Sequence, residues 1–131
     1  MTYNYSTPEN AILSLELAYT NKDLEAVLNS KDFIAEAKII LENASYEYGL
    51  SDNELISETA ELLKLTLIRS LQENGFPDFI DAQVEFSGLS FYKDNLHHIE
   101  EIITYPDGTC YNNKIFLIFD GFEWKVATIE E

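Results

Sequence analysis

Residues 112–131 read NNKIFLIFDGFEWKVATIEE, with two apolar runs on either side of Asp120-Gly121. Ile115 to Phe119 is apolar without a break, and Phe122, Trp124 and Val126 then alternate with Glu123 and Lys125. Asp-Gly supplies the positive φ that a two-residue hairpin loop needs. The stretch therefore predicts two antiparallel strands, Thr109 to Phe119 and Phe122 to Ile129. In the first, Ile115, Leu117 and Phe119 point one way while Phe116 and Ile118 point the other. A strand apolar on both faces is covered on both. One cover is helical; the other is a second subunit or another part of the same chain.

The period of two extends upstream. Leu96 to Tyr105 predicts a strand, joined to the next by YPDGT (105–109), where Pro106 and Gly108 suit a turn. Ala82, Val84 and Phe86 alternate with Gln83, Glu85 and Ser87, after which Leu89 and Phe91 take over the apolar parity. A slip at Ser87-Gly88 predicts a bulge that bends the strand. YKDN (92–95) turns the chain into the next strand.

Before Ala82 the period is helical. Thr7 caps a helix whose first turn carries Pro8, where the missing N–H is harmless, and Ile12, Leu15, Ala18 and Tyr19 share a face. DLEAVL (23–28) predicts a short helix. Asp32 caps another, with Phe33, Ala37, Ile40, Leu41 and Ala44 inward and Gly49 as its stop. A fourth begins with a Ser51/Glu54 capping box inside a Leu50/Leu55 staple. It carries Ile56, Ala60, Leu63, Leu67 and Leu71, and ends at Gly75 before Pro77. The expected fold is a single α+β domain over residues 1–131, with three to four N-terminal helices in the concave face of a curved four-stranded antiparallel sheet.

Charge narrows the function. The chain has 131 residues with 24 Asp and Glu against 8 Lys and Arg, a net of −16. Dividing it after Leu65 leaves 12 acids and 4 bases in each half, so the acidity belongs to the whole fold. Such a field repels nucleic-acid phosphates and anionic membranes and attracts a basic protein partner. No apolar run is long enough to span a bilayer, and MTYNYSTPEN (1–10) is polar throughout, so a cytoplasmic location is expected. One cysteine, Cys110, gives neither an intrachain disulfide nor a metal cluster.

The order of elements resembles the nuclear-transport-factor-2-like (cystatin-like, cone-shaped) superfamily. STPENAILSLELAYTNKDLEAVLNSKDF (6–33) is similar to its first helices, and DGFEWKV (120–126) to its terminal strand. KDFIAEAKIILE (31–42) and the Trp-bearing hairpin are closest to the bacterial immunity proteins of this fold, which are encoded beside polymorphic toxins. The resemblance implies a pocket between the curved sheet and the first helices. In enzymes such as ketosteroid isomerase and polyketide-cyclase-like proteins that pocket holds an Asp or His base with Tyr or Asp partners. It also implies frequent dimerisation through the outer face of the sheet.

Residues placed for such a pocket are Tyr19, His98, Tyr111 and Trp124, with Tyr46, Tyr48 and Tyr105 as further hydroxyls. His97 and His98 are strand neighbours on opposite faces and cannot act together. An inward His98 shares its face with Glu100 and Ile102; an inward His97 shares it with Ile99 and Glu101. Cys110 has no base in its local sequence that would make it a thiolate. Asp78/Asp81/Glu85, Glu100/Glu101 and Glu130/Glu131 lack calcium-loop spacing and read as solvated acids. No catalytic set, metal site or cofactor is expected. The expected function is a non-enzymatic immunity protein that neutralises a basic toxin through an acidic surface including Glu100, Glu101 and Asp107, as monomer or homodimer. The alternative is a small cone-fold enzyme or apolar-ligand binder of the isomerase, cyclase or dehydratase type.

Overall fold

A computed structural model of the chain describes residues 3–44 and 53–130. The Ser51 cap, Leu50, the stop at Gly49, Tyr46, Tyr48 and Glu131 lie outside the described residues. Four helices precede the strands: α1 (Pro8–Thr20), α2 (Leu24–Asn29), α3 (Phe33–Asn43) and α4 (Asn53–Asn74). The first three begin on side-chain caps. Thr7 accepts from the Asn10 N–H, Asp23 from Ala26 and Asp32 from Ala35. Each satisfies a donor that the helix cannot pair internally, worth about 1 kcal/mol. Gly75, at φ 83°, closes α4 with its N–H on the Leu71 carbonyl.

Five strands follow: β1 (Gln83–Phe86), β2 (Ser90–Lys93), β3 (Leu96–Thr104), β4 (Cys110–Phe119) and β5 (Trp124–Glu130). The sheet is antiparallel in the order β1-β3-β4-β5, and β2 also pairs with β3. The expected four strands become five because the first is split at the bulge. Val84 and Phe86 oppose Ile103 and Glu101, and after the break Phe91 opposes His97. Inward parity thus passes from even to odd across Ser87-Gly88. Ser87 keeps the two halves attached: its N–H donates to the Glu100 carbonyl, and its Oγ accepts from the Glu100 N–H.

The main core lies between α1, α2, the end of α4 and one face of the sheet. Ile12, Leu15, Val27, Leu71, Ile99, Ile115, Leu117 and Val126 are buried there, with Trp124 packed at the margin. Each such aliphatic side chain contributes about 1.5–3 kcal/mol on burial. The opposite face at the Leu96 end is covered by α3, whose Ala35 and Ile39 pack on Leu96, Phe116, Ala127 and Ile118. The second cover of the two-sided apolar strand is therefore α3 of the same chain. This also corrects the expected face of α3. Ala37 and Leu41 meet Ile56 and Ala60 of α4, while Ile40 and Ala44 are exposed.

The terminal hairpin differs from a two-residue turn. Residues 120–123 form the loop, held by Asp120, whose Oδ1 accepts from the N–H groups of Phe122 and Glu123. Gly121, at φ 103°, makes the reversal. Phe122, expected as the first residue of the last strand, stands at the tip 90% exposed. Beyond the loop the β5 backbone finds partners outside the sheet. The Trp124 N–H donates to the Tyr5 carbonyl, Val126 N–H to Ser30, and Asp32 N–H to Val126.

Candidate functional site

β3 displays two sets of residues by strand alternation. His97, Ile99, Glu101 and Ile103 face α1; Leu96 and His98 face α3, and further along Glu100 and Ile102 are exposed. His97 is therefore the inward histidine. Its ring packs edge-on to Phe91 (5.5 Å) and Trp124 (5.2 Å), and its Nδ1 is buried without a hydrogen-bond partner among the described residues. His98, expected to line the pocket, instead meets Phe116 at 5.8 Å on the α3 side. The LHHIE pattern is apolar at both parities, and register decides between them.

Glu101 requires the larger correction. Placed by sequence on an exposed binding patch, it is 2% exposed beneath α1. Its Oε1 accepts from Asn113 Nδ2 at 3.3 Å, and Glu16 of α1 lies against it. Glu16 is 8% exposed, with its carboxyl set against that of Glu101. A bond between two carboxyls requires a proton on one of them. Burial pushes the Glu16 carboxyl far above the usual carboxylate range, aided by that bond and by the Glu101 charge. Among the described residues Glu101 Oε2 has no ordinary donor, so a protonated Glu16 is the group able to serve it. Sequence reasoning missed Glu16. The available signal was its spacing, four residues after Ile12 and three before Tyr19 on a face assigned to the core.

Asn113 is shared between this pair and a hollow of about 390 Å³ at the far end of the β3–β4 hairpin, lined by Ile103, Tyr105, Asp107, Thr109, Tyr111 and Asn113. The Tyr105 N–H and the Thr109 carbonyl, 2.8 Å apart, close the turn, and Asp107 Oδ1 accepts from the Thr109 N–H. Hydrogen bonds from the Thr109 side chain, then from its backbone N–H, hold the Asp107 carboxyl below its usual range. Tyr105 is packed between Phe79 and Tyr111, and its hydroxyl is raised by burial, then by Glu16 and Glu101.

The other sequence candidates lie apart. Tyr19 lines a separate groove with Leu67, Leu71 and Phe76; burial, then the charge of Glu36, pushes its hydroxyl up to about 12. Trp124 is half-buried at the core margin, 5.3 Å from Phe119, and lines none of the hollows named here. Glu100 is exposed on the outer face opposite Lys114. Cys110 is exposed and accepts a weak hydrogen bond from Thr104 Oγ1 at 3.7 Å. Of the expected site residues, the structure brings Asp107 and Tyr111 into one hollow, with Glu101 behind it. Among the described residues no group of three or more His, Cys, Asp or Glu is placed to hold a metal ion, and no helix is long and apolar enough to cross a membrane.

The exposed surface is strongly acidic. Among the described residues thirteen Asp and Glu side chains are exposed against three basic ones, Lys22, Lys38 and Arg69. Lys31, Lys93 and Lys125 are engaged by Glu36, Glu42 and Glu123. Comparison with protein-family models, with curated proteins and with solved structures finds no match.

Proposed function

We propose that this chain is a non-enzymatic binding protein that neutralises a basic protein partner, in the manner of the immunity proteins its sequence resembles. The observation that carries the reading is the excess of exposed carboxylates over exposed cations, three of the remaining lysines being paired within the fold. Carboxylates spread over a surface accelerate encounter with a cationic partner and set its orientation, while a few central contacts hold the complex. The partner class is a toxin with a basic working surface. The test is calorimetric titration with the polypeptide encoded by the adjoining reading frame, at low and at moderate salt. A complex of micromolar affinity or better that weakens as salt rises supports the reading; no association at micromolar concentration overturns it.

One observation favours a second reading, a cone-fold enzyme or small-molecule binder of the isomerase, cyclase or dehydratase type. A carboxyl that keeps its proton at neutral pH, as Glu16 does, is the kind of group that acts as a general acid. Against it, Glu101 is 2% exposed, and the hollow nearby is lined by neither member of the pair. Soaking with small ketones or enones and observing density beside Glu16 would favour this second reading.

A further inference from the structure

The hollow at the end of the β3–β4 hairpin combines features that suit one kind of guest. Tyr105 and Tyr111 meet edge to face with centroids 5.9 Å apart, and Tyr111 remains 46% exposed. Phe79 stacks on Tyr105 at 6.3 Å and fixes its ring. Asp107 stands at the rim, its carboxylate ordered by the Thr109 N–H. Asn113, at the inner wall, gives its amide N–H to Glu101 and so keeps its carbonyl for another donor. Behind it the Glu16–Glu101 pair is close enough to perturb the Tyr105 hydroxyl. Ring faces attract cations, and a planar guanidinium both stacks on a tyrosine and donates along its edge to a carboxylate and an amide oxygen. An anion would meet Asp107 and the chain's net charge of −16.

We propose that this hollow receives an arginine side chain of the basic partner protein. The partner's identity rests on the proposed function, whereas the guanidinium chemistry rests on the hollow alone. The full chain is titrated with N-acetyl-arginine amide and followed by NMR, with sodium chloride at matched ionic strength as control. Saturable shifts confined to Asn113 and residues 105–111 are expected, weakened about fivefold in Tyr111→Ala and in Asp107→Asn but retained in Tyr111→Phe. Tyr111 is largely exposed and Tyr111→Phe keeps the ring, so a folding defect in one variant leaves the other two informative. Shifts that do not saturate and that spread over the exposed carboxylates overturn the proposal. So does a lysine analogue that binds as tightly as arginine. The two readings separate cleanly. If the adjoining-frame polypeptide fails to bind while arginine still saturates the hollow, the binding-protein reading falls and the guanidinium site stands. A complex whose affinity is unmoved by Tyr111→Ala leaves that reading in place and overturns the arginine receptor.

Discussion

His97 and Glu101 lie four residues apart on the same face of β3, and each carries a buried polar atom that no ordinary donor or acceptor among the described residues reaches. Their neighbours differ. His97 is boxed by the rings of Phe91 and Trp124. Glu101 is boxed by Asn113 and a second carboxyl. Burial at the first site is a matter of packing, but at the second it is tied to a proton. The same backbone register thus produces a ring-packed end and a carboxyl-paired end, separated by Ile99, which is fully buried.

The largest effect is expected between the two ends. Ile99→Ala opens a cavity where neither side can collapse, lowering stability by about 2–5 kcal/mol in urea titration. A loss below about 1 kcal/mol would show that the two ends are not joined by tight packing.

Next comes the proton. The folded state raises the Glu16 carboxyl above its unfolded value. The pair's contribution is fully present below the ordinary carboxylate range, where Glu16 is protonated in both states. As pH climbs above that range, unfolded chains ionise Glu16 while folded ones must keep it neutral, so stability falls, by at most about 1.4 kcal/mol per pH unit. Asp107 and Asp120, both lowered, act in the opposite sense and withdraw stability as pH drops through their folded values. A denaturation midpoint that peaks in mildly acidic buffer and declines toward pH 9 is expected. Glu16→Gln supplies a permanent donor to Glu101; it flattens that decline and raises stability at pH 8 by roughly 1–3 kcal/mol. An unchanged pH profile in this variant would mean that the pair does not share a proton.

The smallest effect belongs to the aromatic end. His97→Phe removes the orphaned nitrogen and keeps the ring contacts, so stability changes by less than about 1 kcal/mol. A large loss would reveal a hidden partner for Nδ1 and erase the contrast.

Much of the architecture was legible because it rests on local chemistry. Thr7 and Asp32 announce their helices by cap geometry, Gly75 ends α4 by its positive φ, and the parity slip at Ser87-Gly88 marks the split edge strand. The candidate site was legible only in fragments. Asp107 and Tyr111 were singled out, but for separate reasons, and their meeting depends on how the β3–β4 turn folds back. Glu101 was misplaced because LHHIEEIIT is apolar at both parities, and only pairing to β4 and cover by α1 decide which carboxylate goes inside. Glu16 was hidden by its type, since charged residues are seldom buried without a partner, and its partner lies 85 residues away in the chain. Trp124, the landmark of the opening stretch, packs at the core margin against His97 and Phe119.

The stapling of β5 to Tyr5, Ser30 and Asp32 has a consequence for solution behaviour. An open sheet ordinarily offers two ladders of free amides on which other molecules can polymerise. Here one margin is occupied at Trp124 and Val126 by the protein's own N-terminal segment, and the other is broken in the middle at Ser87-Gly88. Trp124 and Val126 thereby withhold their backbone groups from a second copy approaching edge-on.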